Sequence, residues 1–186
     1  MYRVEPAANH PDVVATVGGW HWTEWGHADP AGQVSWTAGL RHASNLDMIP
    51  MLLVALAGNE PVGSITLVQH DMDTTNERWR DVVERWRGLT SWLSGLFVVP
   101  EHRGRGIGSQ LVRASEAEAH RLGVKRLYVY SSDAEGLYRD KHDDGLLGRD
   151  FHEDEAVAVM AKDLLPHYPA PPFVERAGVP VYTPRN

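Results

Sequence analysis

The chain has 186 residues, 42% of them hydrophobic, no cysteine, and 25 acidic against 18 basic residues for a formal charge of -7. That length supports one well-packed domain, and the lack of cysteine excludes disulfide frameworks, thiolate zinc sites and a cysteine nucleophile. The acidic balance argues against a general role in binding nucleic acid, where a basic footprint is expected; its ordinary purpose is solubility, and attraction of a cationic substrate is the functional alternative.

The opening MYRVEPAANHPDVV has neither a basic leader segment nor an apolar one, and no window approaches the ~20 apolar residues of a membrane span. A cytoplasmic protein without membrane attachment is the expectation. RVEPA reads as a short strand, and HPDVVATVGGWHWTEWGH as a helix that Gly18 and Gly19 interrupt; residues 34–45 read as a second, weaker helix. MLLVALAGNEPVGSITLV, two β-rich runs around AGNEP, predicts a hairpin. Over residues 74–90, Trp79, Val82, Val83 and Trp86 at helical spacing predict an amphipathic helix.

SWLSGLFVV is a predicted strand in which Gly95 marks a bulge or a close backbone approach. A loop with three glycines follows. Then Gly108, Leu111, Val112, Ser115, Ala119 and Leu122 share one helical face, and Gly123 ends that helix. KRLYVYSS is a strand, Ser132 to Glu135 form the S-x-x-E pattern of a capping box, HDDGLLGRD reads as a loop and EAVAVMAKDL as the last strand. From residue 166 the proline-rich PHYPAPPFVERAGVPVYTPRN has no regular period and reads as a tail to a domain spanning residues 1–165. The order predicts an α/β fold, a mixed sheet with helices on its faces.

In RGRGIG, Gly104, Gly106 and Gly108 alternate directly before a helix. Missing side chains let a ligand approach the main chain, and the first N–H groups of a helix favour an anion, so a phosphate or pyrophosphate fits. Arg103 and Arg105 add charge there. No Lys-Ser or Lys-Thr follows to make a nucleoside-triphosphate loop. The spacing is G-x-G-x-G, and Lys125 and Arg126 lie where a dinucleotide site needs an acid.

Arg103, Gly106 and Gly108, within LFVVPEHRGRGIG, match the [RQ]-x-x-G-x-[GA] pattern of the GNAT superfamily of N-acetyltransferases, which the chain resembles over residues 50–165. A second stretch, SSDAEGLYRDK, is similar to the family's Asn-x-x-Ala-x-x-x-Tyr run, supplying Ala134 and Tyr138 with Ser131 in place of Asn. The resemblance implies a mostly antiparallel mixed sheet flanked by helices and acetyl-coenzyme A as acyl donor. It assigns the pantetheine arm to Phe97, Val98 and Val99, and the pyrophosphate to the loop amides of Arg103, Gly104, Arg105, Gly106, Ile107, Gly108 and Ser109.

Acetyl transfer from a thioester needs a neutral amine, a polarised carbonyl and a proton for the departing thiolate. A phenol of pKa about 10 can protonate a thiolate of pKa about 8.5, which makes Tyr138 the candidate general acid and the Val98 N–H the expected oxyanion donor. The strand before the loop carries no carboxylate, so Asp71 and Glu24 are the candidate bases, with Asp73 and His70 beside them. Trp20, Trp22 and Trp25 are placed to border the acceptor by the resemblance, where they can meet a cationic amine; core packing is the competing role. His21 and His27 lack the i, i+4 spacing of a helical metal site, and no metal is expected.

The reading is an N-acetyltransferase acting on a primary amine of a small molecule or peptide by direct transfer in a ternary complex, with no nucleic acid or membrane partner. Transfer of a longer acyl group, a non-catalytic coenzyme A sensor and an RNA-binding accessory domain are the alternatives. A homodimer is the default assembly.

Overall fold

The computed structural model describes residues 2–26, 32–71, 80–142, 145–152 and 155–164. Their centre is a seven-stranded sheet in the order β1-β2-β3-β4-β5-β7-β6. These strands are β1 Tyr2–Pro6, β2 Met51–Ala57, β3 Glu60–Val68, β4 Trp92–Val98, β5 Arg126–Ser131, β6 Gly145–His152 and β7 Glu155–Asp163. Every neighbouring pair is antiparallel except β4 with β5. The mixed, mostly antiparallel sheet expected from the sequence is what the chain forms.

Helices cover both faces because the strands alternate apolar residues to both. On β2, Leu52, Val54 and Leu56 pack under α1 (Val14–His21) and α2 (Gly32–His42). Met51, Leu53 and Ala55 face the other way, into the cluster that includes Leu111, Val112 and Ala119 of α4 (Ile107–Arg121) and Tyr138 of α5 (Glu135–His142). On the first face, farther along the sheet, α3 (Arg80–Trp86) lays Val82 on Trp92, Val157 and Val159.

Gly18 and Gly19 do not break the first helix. A Cβ on Gly18 would lie 2.3 Å from Thr37 Oγ1, so its missing side chain is what lets α1 and α2 approach. The helix then loosens into one π-helical turn at Trp22–Gly26. Residues 74–79 of the predicted amphipathic helix lie outside the described residues, as does the tail.

Two further expectations are corrected. The segment containing HDDGLLGRD, read as a loop, supplies β6, an edge strand held by β7 through a register shift between Leu146 and Gly148. The helix after β5 is not capped by Ser132. It begins at Glu135, and Ser131 Oγ accepts the Ala134 N–H at 2.9 Å, while the Glu135 carboxylate turns to Arg139 and Arg149.

One charged group sits deep between the layers. Glu116 of α4 is 1% exposed, with Lys162 Nζ at 2.9 Å from its Oε1 and His142 Nδ1 at 3.4 Å. A buried carboxylate needs such partners to remain there.

Candidate active site

Among the described residues, β4 and β5 share one registered pair, Trp92 with Tyr128. On its other edge β5 pairs with β7 along all six of its residues, whereas beyond Trp92 and Tyr128 the two parallel strands share no further registered pair and part. The open edge of β4 can be assigned from its other side. Val99 N–H donates to Val62 O at 3.0 Å across to β3, and peptide groups alternate along a strand, so the Val98 N–H and C=O point away from β3, into the gap.

The glycine loop closes one end of this gap. Gly104 and Gly106 have φ of 72° and 77°, and a Cβ on either would meet nothing within 4 Å. Their requirement is conformational, and the space above them is open. Gly106 is the N-cap of α4 and its carbonyl takes the Gln110 N–H at 3.0 Å, the first bond of the helix. The N–H groups of Ile107, Gly108 and Ser109 therefore have no carbonyl within the helix to pair with and face its N-terminal end.

The two arginines are tied back. Arg103 Nε donates to Val98 O at 2.8 Å and its guanidinium lies 5.8 Å from the Phe97 ring centroid. Arg105 Nη1 reaches Tyr2 Oη at 3.3 Å. Arg103 thus caps one of the backbone acceptors that β4 turns to the gap, a role that sequence reading did not give it.

The opposite face carries a polar strip that the sequence did not reveal. Ser64 and Thr66 of β3, with Ser94 of β4 opposite Thr66, share the face covered by α1. His21 Nε2 lies 2.9 Å from Ser64 Oγ, and burial pushes the imidazole down to about 4, so the ring is neutral. Ser94 Oγ donates to Asp71 Oδ1 at 2.6 Å. Asp71 keeps some surface as a residue, but loss of water around its carboxyl pushes it up to about 6, against the opposing pull of the Ser94 hydrogen bond. Between them the Thr66 hydroxyl is buried with no protein partner. Its signal is invisible in one dimension because these five residues come from four separate segments.

The bulge lies at Gly95, with φ of 59°, as the sequence suggested. Around it Trp20 stacks on Phe97 at 5.5 Å between centroids, and Trp25 meets Phe97 at 6.3 Å and His21 at 5.0 Å edge-on. Trp22 packs beside Gly26, whose added Cβ would stand 2.6 Å from the indole. Of the three, Trp25 is the one left substantially exposed, at 43%.

The remaining candidates fall apart in space. Tyr138 is 4% exposed within the α4–α5 cluster, and Glu24 is exposed on the π-helical turn. His70 and Asp71 line one concavity, whereas Asp73 and His27 lie outside the described residues. Among the described residues no three His, Asp or Glu side chains gather as a metal site would need, and no helix is long and apolar enough to cross a membrane.

A mixed sheet parted between two parallel strands, with a glycine loop and a helix N-terminus at the parting, is the arrangement expected from the resemblance of the sequence to the N-acetyltransferases. The chain belongs to the GNAT acetyltransferase family, whose model matches residues 14–143. Its fold is similar to that of an aminoglycoside 6'-acetyltransferase type Ii, with a TM-score of 0.62 at 18% identity over 89% of this chain and 99% of that one. An aminoglycoside 6'-N-acetyltransferase complexed with coenzyme A gives 0.58 at 16% identity, covering 89% and 98%. A GNAT-family acetyltransferase from Streptococcus pneumoniae gives 0.60 at 14%, covering 88% and 99%. Compared by sequence with curated proteins, the chain has no match.

Proposed function

We propose that the protein moves an acetyl group from acetyl-CoA directly to a primary amine of a small molecule or peptide within a ternary complex. The observation that carries the reading is the gap: an open strand edge that turns the Val98 N–H outward, ending at a glycine loop and the free amides of α4. The open space over Gly104 and Gly106 suits a pyrophosphate, with the amides from Arg103 to Ser109 as donors. Phe97, Val98 and Val99 would flank the pantetheine arm.

The bound thioester supplies an electrophilic carbonyl and a thiolate leaving group. The Val98 N–H donates to the carbonyl oxygen as negative charge grows on it. Asp71, ionised above pH about 6, accepts the proton that the ammonium must lose, with its second interaction to Ser94 fixing the carboxylate. Tyr138 holds a proton at its phenol oxygen for the sulfur. Glu24, exposed on its turn, offers no comparable environment for a base.

A thiol-release assay with acetyl-CoA over a panel of amines, run beside Tyr138→Phe, tests this. Turnover that falls at least ~100-fold in the variant, with coenzyme affinity kept, is expected for loss of a general acid. Failure of acetyl-CoA to bind overturns the reading. Binding without turnover of any amine points instead to a coenzyme-binding module.

A further inference from the structure

The Trp92 end of the gap, away from the glycine loop, adjoins a concavity of about 280 Å³ lined by His70, Asp71, Val83, Trp86, Leu89 and Trp92, with Arg87 also on its wall. Two features make its walls fixed. Trp86 Nε1 donates to Asp150 Oδ2 at 3.0 Å, which also takes Arg85 Nη1 at 2.6 Å, and the far edge of that indole packs on Gly148 of β6, where an added Cβ would lie 3.2 Å away. Trp92 Nε1 donates to Leu89 O at 3.0 Å. With both indole N–H groups engaged inside the protein, the tryptophans have carbon surface and π faces to offer a ligand, and no donor.

What polar chemistry remains is concentrated. Asp71 supplies a carboxylate held by Ser94, and among the described residues His70 and Arg87 are the other polar side chains of the wall. Ser94 is two residues beyond Trp92, the last residue of β4 paired with β5, so the carboxylate stands where the gap begins.

We infer that this concavity is the acceptor pocket and that it selects small primary monoamines with an aromatic or branched aliphatic body, the ammonium on Asp71 and the body between Trp86, Val83 and Leu89. The inference rests on the proposed acetyl transfer and adds the class of its acceptor. A volume of 280 Å³ lies just below the usual span of ligand pockets, ~300–1,000 Å³, and so suits a small ligand. At ~30 Å³ for each water displaced, it admits an amine of about ten non-hydrogen atoms. Indole faces attract a cation and its adjacent methylene groups. Hydroxyls of a polyhydroxylated amine that settle against Trp86, Val83 and Leu89 would give up water without gaining a partner, which favours an apolar body on that wall.

The test compares 2-phenylethylamine, ethanolamine and kanamycin as acceptors, on the wild type and on Val83→Phe, which fills the pocket. Thiol release and calorimetric binding to the coenzyme-loaded protein are both read. The expected result is saturable binding of 2-phenylethylamine, preferred at least tenfold over the other two, lost in Val83→Phe while melting temperature and coenzyme affinity stay as in wild type. Equal or better use of kanamycin, or 2-phenylethylamine binding untouched by Val83→Phe, overturns the pocket and leaves acetyl transfer standing. If 2-phenylethylamine binds in the expected way but is not acetylated, the pocket stands and the reaction is what fails. If it does not bind while coenzyme does, the pocket assignment falls.

Discussion

His21 lies directly on Gly95: a Cβ added to that glycine would stand 2.8 Å from the imidazole Cε1. The bulge in β4 therefore exists in a form that only glycine can take, for its φ of 59° and for the ring above it. Since the same imidazole is anchored to Ser64 on β3, it cannot move aside without giving up its hydrogen bond.

Gly95→Ala should accordingly lose more stability than Gly58→Ala. Gly58 has a similar φ of 63° but nothing within 4 Å of an added Cβ, so its substitution carries the left-handed penalty alone, ~1–2 kcal/mol. Gly95→Ala adds the contact with His21, bringing the total to about 3 kcal/mol or more. Chemical denaturation of the two variants checks the difference, and equal losses would show that the ring yields.

Opposed titrations are expected on the two sides of the polar strip. Asp71 moves from 3.8 up to about 6 on folding, so between those values the folded state keeps a proton the unfolded chain has lost, and stability falls as pH rises. His21 moves from 6.5 down to about 4, so in nearly the same window the unfolded chain holds the extra proton and stability rises with pH. Each contributes at most about 3 kcal/mol over its range. Relative to wild type, Asp71→Asn should gain stability from pH 4 to 6, and His21→Gln should lose it. Melting temperatures across that range read the two slopes, and slopes of the same sign would refute the assignment of either environment.

Activity should follow the carboxylate. kcat/KM for the amine is expected to rise through pH about 6 as Asp71 ionises, and Asp71→Asn should remove that limb and lower the plateau at least ~100-fold, the span of general-base catalysis. A pH–rate profile unchanged in the variant would take Asp71 out of the reaction.

At the glycine loop, stability and binding should separate. Gly106→Ala forces φ of 77° on an alanine and misdirects the amides of α4, so the KM for acetyl-CoA should rise about tenfold for a stability loss of ~1–2 kcal/mol. A Cβ on Gly108 meets Leu137 and Leu96 at ordinary distances of 3.8 and 3.9 Å, and Gly108→Ala should melt within a few degrees of wild type. Steady-state kinetics with thermal melts checks both.

The buried carboxylate gives a prediction about the core. Lys162→Met removes a cation 2.9 Å from Glu116, at a cost of about 3 kcal/mol as for other broken buried pairs. The double variant with Glu116→Gln should recover most of that loss, since the unpaired carboxylate is then gone. Additive losses would show that the pair is not the reason Glu116 is tolerated.

The parts of this molecule that sequence made legible are those whose cause is local. The hairpin of β2 and β3, the strand into the loop and the face of α4 follow from period and glycine placement, and the bulge from a single Gly95. What escaped has non-local causes. β6 has no alternation of its own and is a strand because β7 pairs with it; Glu116 occupies a position that its charge would assign to solvent until Lys162 and His142 arrive from elsewhere in the chain. Ser131 outcompetes Ser132 as a cap because the chain leaves β5 with the earlier hydroxyl turned to the Ala134 N–H. The polar strip was the least legible, since Ser64, Thr66, Asp71 and Ser94 come together only through the pairing of β3 with β4 and the turn after β3.

The single Trp92–Tyr128 pair makes the sheet two plates joined at one corner, β1 to β4 on one side and β5, β7 and β6 on the other. Opening or narrowing the angle between the plates breaks no long backbone ladder; what sets the angle is the apolar cluster that Leu53, Ile65 and Leu93 of one plate share with Leu127, Val129 and Met160 of the other.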